Sequence, residues 1–165
     1  LKQAAKLDPQ EENNYALLAL NYRRQGDHGR AIEAWIQALG LQPNNVRFIN
    51  SLGVEYHSAG ALDQAIAVLE QGVQGQPENG KIQGHLGEVY LAAGALDKAE
   101  KSLLKAIEYM PEKTSWRSSI VQVYFRQKKL DKAILQGKIA LRNDPENIVL
   151  ARLVRELDKL RGVSE

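Results

Sequence analysis

All five prolines of this 165-residue chain fall on one lattice, Pro9, Pro43, Pro77, Pro111 and Pro145, each thirty-four residues from the next. A chain punctuated at one fixed interval builds the same supersecondary unit repeatedly, so the period constrains the fold before any local structure is assigned. Other columns keep the same step: Tyr22, Tyr56, Tyr90 and Tyr124; Ala31, Ala65, Ala99 and Ala133; Leu18, Leu52, Leu86 and Ile120. A further column, Ala38, Gly72, Ala106 and Ala140, admits only residues small enough for close helix contact. The phrases "GALDQAIAVLE" from Gly60 and "GALDKAEKSLL" from Gly94 are the same lattice in miniature.

Within one period Tyr15, Leu18, Ala19 and Tyr22 recur at helical spacing, and Ala31, Trp35, Ala38 and Leu39 do so again. Between the halves stand Gly26, Gly60 and Gly94, residues that end a helix in the left-handed region without a side-chain clash. Between periods "QPNN", "QPEN", "MPEK" and "DPEN" join a helix-stopping proline to residues that can open the next helix. Each unit is therefore expected to be a helical hairpin. A hairpin of two helices about 20 Å long cannot cover both its apolar faces, so neighbours must stack into an all-α solenoid.

At 44% hydrophobic and 25% charged, the chain has the composition of a folded, soluble protein, which excludes disorder and collagen. No apolar run approaches about 18 residues, and "LKQAAKLDPQEE" lacks the flank and cleavage site of a signal peptide. The expectation is a soluble protein with no membrane insertion, in the cytoplasm or periplasm. The absence of cysteine excludes disulfides, thiolate nucleophiles and cysteine-bound zinc. From Arg126 onward there are 10 Lys/Arg against 6 Asp/Glu, while the first 125 residues hold 12 against 14, so a basic tail follows a mildly acidic body.

These columns resemble the tetratricopeptide repeat (TPR) family and its pattern of W-x2-L-G-x2-Y, then A-x3-F, then A and P. The second period matches through Leu52, Gly53, Tyr56, Ala65, Leu69, Gly72 and Pro77. The third matches through Leu86, Gly87, Tyr90, Ala99, Leu103, Ala106 and Pro111. The resemblance implies a right-handed superhelix and one TPR domain over 1–165. Its expected parts are a second-helix remnant at 1–11, repeats at 12–45, 46–79, 80–113 and 114–147, and a capping helix at 148–162. In the cap Leu150, Leu153, Val154 and Leu157 face inward, and Arg155 and Asp158 break the glycine and tyrosine columns. The fourth repeat departs most: Lys128 stands at the turn glycine, Gly137 at the large residue and Arg117 at an apolar one. Looser packing is expected there.

The family resemblance also implies that the first helix of each pair lines an inner wall. The residues expected there include Leu17, Leu20, Arg24, Ser51, Val54, Gly84, Leu91, Ser115, Ser118 and Ser119. Those chosen as a partner-binding groove are Arg23, Arg47, Asn50, His57, Lys81, His85, Glu88, Gln122 and Arg126. The full list is polar, somewhat basic and thin in large apolar anchors. It suits an extended, acid-containing peptide, with Asn50 and Gln122 pairing its backbone and Arg or Lys meeting its carboxylates. The expected function is a non-enzymatic scaffold or adaptor for a protein or peptide partner. The alternative is a self-assembling homo-oligomer acting through its open N-terminal end and convex face. The carboxylate clamp of chaperone-binding relatives is unsupported, since its positions read Ala16, Leu20, Ser51, Lys81 and His85, of which only Lys81 agrees.

Other chemistry finds little support. His57, Glu88 and Ser119 fall on successive inner helices, but a triad also needs an oxyanion site and water exclusion. No two of the three histidines share a two-ligand motif on one helix, and no phosphate-binding glycine loop occurs. No catalytic residue, metal or cofactor is therefore expected. The basic "RQKKLDKAILQGK" near Phe125 is interrupted by acid, which disfavours nucleic acid. His28 reads as a bystander in a turn. Trp116 and Phe125 read as outside the core columns, either partner anchors or products of repacking in the fourth repeat.

Overall fold

The computed structural model describes residues 12–163; the segment 1–11, read as a second-helix remnant, lies outside them. Among the described residues the regular structure is a run of nine helices. They are α1 (Glu12–Arg24), α2 (His28–Leu41), α3 (Val46–Ser58), α4 (Leu62–Gly75), α5 (Gly80–Ala92), α6 (Leu96–Tyr109), α7 (Thr114–Arg126), α8 (Leu130–Asn143) and α9 (Ile148–Val163). They fall into two compact units, Leu1–Pro77 and Glu78–Glu165. The first holds the hairpins α1–α2 and α3–α4. The second holds α5–α6 and α7–α8, with α9 packed on α8.

Every first helix ends in the same closure. The amide following the turn residue donates to the column tyrosine carbonyl: Asp27 to Tyr22 (2.9 Å), Ala61 to Tyr56 (2.8 Å), Ala95 to Tyr90 (2.9 Å). That motif requires a left-handed residue, supplied by Gly26, Gly60 and Gly94 at φ 74°, 75° and 76°. Lys128 takes the same position at φ 60°, and Lys129 still donates to the Tyr124 carbonyl at 2.8 Å. The departure thus preserves the turn, at a cost of about 1 kcal/mol for a side chain held left-handed. Between hairpins the side chains of Asn45, Asn79 and Asn147 accept from the amides of Phe48, Ile82 and Leu150. Lys113 occupies the equivalent place before α7 and makes no such bond.

The small-residue columns fill the helix contacts: Ala31, Ala65, Ala99, Ala133, Ala38, Ala106 and Ala140 are all fully buried. Across the second and third hairpins a small residue on the first helix faces a large one on the second. A Cβ on Gly53 would lie 2.5 Å from Leu69 Cγ, and one on Gly87 2.6 Å from Leu103 Cγ. In the fourth repeat the sizes are exchanged, with Val121 on α7 and Gly137 on α8. The space at Gly137 is taken by Val121 and by Val154 of α9, whose Cγ2 stands where a Cβ would go. The expectation of loose packing at this glycine is therefore corrected: it seats α9, through Val154 and the buried Leu150 and Leu157.

Trp116 also needs correcting. It shares its lattice position with Phe48, Ile82 and Leu150, and like them it is buried, at 4% exposure. Its indole lies across Gly84, where any Cβ would collide with Cε2. Gly84 is therefore core rather than inner wall, and Leu91 is buried as well. Phe125 does stay exposed, at 44%. Arg117, at its apolar position, is half-buried and donates from Nη1 to Gln136 Oε1 at 3.0 Å. Cations cover the buried tyrosines from one column, Arg30 over Tyr22 (4.8 Å), Lys98 over Tyr90 (5.2 Å) and Lys132 over Tyr124 (5.6 Å).

Candidate functional site

The first helices carry the residues chosen from the sequence, and each unit positions its own share. In the first unit Arg47 is exposed in the opening turn of α3, where Asn45 caps the backbone and leaves the guanidinium outside. Asn50 and His57 are half-buried on the same helix. Arg23, in the last turn of α1, is committed differently: its Nε lies 3.0 Å from Oε1 of Glu55 on α3. Glu55 is completely buried, and its Oε2 accepts from His28 Nδ1 at 2.9 Å. His28 is thus part of a charged cluster between the first two hairpins, which corrects its reading as a bystander.

The sequence reading passed over Glu55, although a signal was present. Its column otherwise reads Asn21, Val89, Val123 and Leu157, and that of His28 reads Leu62, Leu96 and Leu130. A carboxylate in a valine column together with a histidine in a leucine column, one hairpin apart, is the signature of a compensated pair. Buried charges persist only when compensated, and here Arg23 pairs with one oxygen of Glu55 while His28 hydrogen-bonds the other.

In the second unit α5 and α7 are in direct contact. Lys81 and Gln122 are exposed and His85 is half-buried. Ser119 Oγ lies 3.5 Å from Glu88 Oε1 and 3.3 Å from the Ser115 carbonyl, so its one hydroxyl proton serves either acceptor. Burial pushes the Glu88 carboxyl above the ordinary range, and the Ser119 hydrogen bond opposes that shift. Arg126 is exposed but donates from Nη1 to the Leu91 carbonyl at 3.1 Å, which ties the end of α7 to α5. Glu88 with Ser119 and Arg126 with α5 are thus brought together, whereas Lys81 and Gln122 are left as open positions.

The two kinds of helix differ in charge. Among the described side chains, α1, α3, α5 and α7 expose Arg23, Arg24, Arg47, Lys81 and Arg126 and no carboxylate. The two acids among those described side chains are the buried Glu55 and the half-buried Glu88. The second helices instead expose acids alongside their cations, among them Glu33, Asp63, Asp97, Glu108 and Asp131. The first helices also hold large apolar side chains that the sequence reading undervalued, since Leu17 and Leu20 are 49% and 40% exposed. Among the described residues, no group of three His, Asp or Glu side chains is arranged to hold a metal, and no helix is long and apolar enough to cross a membrane.

No curated protein sequence matches the chain significantly. Among solved structures, a crystal structure of MamA is 25% identical, with a TM-score of 0.81 over 92% of this chain and 84% of that one. TTC0263, a thermophilic TPR protein of Thermus thermophilus, is 24% identical, with a TM-score of 0.76 over 94% and 86%. YrrB, described as a TPR protein with an unusual peptide-binding site, is 20% identical, with a TM-score of 0.74 over 90% and 77%. Two models of the tetratricopeptide repeat match residues 16–80 and 56–118. With the thirty-four-residue columns, the left-handed turns and the stacked hairpins, they show that the chain belongs to the tetratricopeptide repeat family, whose members are typically non-enzymatic modules for protein interaction.

Proposed function

We propose that the chain is an adaptor that holds an extended, acid-containing segment of a partner protein on its first-helix faces. The observation that carries this reading is the charge separation: those helices expose cations and no carboxylate among the described side chains. A guanidinium or ammonium facing no acid on its own surface is available to a partner's carboxylate, with arginine able to engage both oxygens. The polar positions Asn50, Gln122 and His85 suit a peptide backbone, and the similar fold of YrrB is described with a peptide-binding site. Open polar faces of this kind give affinities in the micromolar range, about −8 kcal/mol.

Photo-crosslinking groups placed at Arg47 and Gln122, and separately at Lys101 and Arg142 of the second helices, test the reading in extract. Partner adducts should form from the first pair. Adducts from the second pair alone would overturn it.

A second reading, self-assembly, is favoured by α9, where Ile148 and Val149 are 78% and 81% exposed. Solution mass across a wide concentration range distinguishes it, since a monomer throughout counts against association of copies.

A further inference from the structure

We infer that the first-helix face of the first unit selects a segment in which an apolar side chain and a carboxylate stand two or three residues apart. This rests on the partner-binding reading above and specifies what that face recognises. Leu17, Leu20 and Arg24 stand at i, i+3 and i+7 of α1, one stripe of a helix, and all three are exposed. The repeat does not demand the leucines: the same positions hold Ser51, His85 and Ser119 in one column and Val54, Glu88 and Gln122 in the other. Isolated exposed leucines need no explanation, but two on one stripe with a cation at its end form an amphipathic strip.

Charge identifies the occupant. Arg24 has no ion-pair partner among the described residues, and Arg47 is likewise exposed on α3. No described side chain of α1 or α3 exposes a carboxylate: the one acid among those side chains, Glu55, is buried against Arg23 and His28. At 1.5 Å per residue, Arg24 lies about 6 Å along the helix from Leu20 and about 10 Å from Leu17. An extended peptide rising about 3.3 Å per residue covers that distance in two to three residues. The leucines therefore take an apolar side chain and Arg24 the acid beyond it. A nucleic acid would satisfy the arginines but leave the leucines uncovered.

The test selects a displayed library of random peptides against the wild-type chain, the Leu17→Ser, Leu20→Gln variant and the Arg47→Glu, Lys81→Glu variant. The first variant copies Ser119 and Gln122 at exposed positions, and an unchanged melting curve verifies its fold. The wild type should enrich an apolar and an acidic residue at that spacing, and the serine–glutamine variant should lose it. A resynthesised peptide should bind that variant and Arg24→Glu about tenfold more weakly than wild type. Acidic peptides that depend on Arg47 and Lys81, lack an apolar position and survive the leucine changes would overturn this inference and leave the adaptor reading standing. Failure of the wild type to enrich acidic peptides would overturn both.

Discussion

Glu55 Oε2 accepts a hydrogen bond from His28 Nδ1 at 2.9 Å, joining a fully buried carboxylate on α3 to the first residue of α2. With Arg23 at 3.0 Å from the other oxygen, the contact between the first two hairpins is ionic where its counterpart is apolar. Two repeats further on, the same three lattice positions hold Leu91, Leu96 and Val123.

That comparison supplies a stability test. Arg23→Leu alone removes a partner from a buried carboxylate and should cost about 2 kcal/mol, less than a wholly buried pair because Arg23 is partly solvated. Adding His28→Leu and Glu55→Val installs the apolar trio and should restore stability to within about 1 kcal/mol of wild type. Urea denaturation of the three proteins measures this; a triple variant no better than the single one would contradict the pairing.

The fourth repeat offers two gains. Lys128→Gly removes the left-handed strain at φ 60° and should stabilise by about 1 kcal/mol. Lys113→Asn restores the missing cap of α7 for about 0.5–1 kcal/mol more. Thermal melts that fall in either variant would refute the column reading.

Glycines in helices should respond in opposite directions. A Cβ at Gly40 of α2 meets nothing within 4 Å, so Gly40→Ala should stabilise by about 0.5–1 kcal/mol. Gly137→Ala drives a methyl into Val154 and should destabilise by about 1–3 kcal/mol despite its better helix propensity. Equal gains in both would mean that α9 does not seat on Gly137.

Glu88 gives a pH signature. Its carboxyl titrates above the ordinary range because burial disfavours the charge, so the folded state binds the proton more tightly than the unfolded chain. The resulting stability is full below the unfolded value and is lost as pH rises through the folded one. Melting temperature followed from about pH 4 to about pH 8 should show this decline, and Glu88→Gln should flatten it.

The scaffold was legible in the sequence because each column repeats one structural demand: alanine where helices touch, tyrosine beneath the closing turn, glycine where φ is positive. Positions that depart from their column were harder to read, because their compensation lies in another column. Gly137 makes sense only beside Val121 and Val154, and Glu55 only beside His28 and Arg23. Trp116 was legible but missed, since its own column reads Phe48, Ile82 and Leu150. At the candidate site, composition identified the basic first helices. The exposure of Leu17 and Leu20, and the withdrawal of Arg23 toward Glu55, depend on packing that no single position encodes.

The central claim is that the first-helix faces bind an acid-containing partner segment, and a matched pair of charge reversals tests it most directly. Arg47→Glu with Lys81→Glu changes first helices, while Lys101→Glu with Arg142→Glu makes the same change in charge on second helices. Calorimetric titration with the crosslinked partner's segment should show affinity falling at least about tenfold in the first variant, little change in the second and unaltered melting in both. Equal affinities in the two variants would contradict the account.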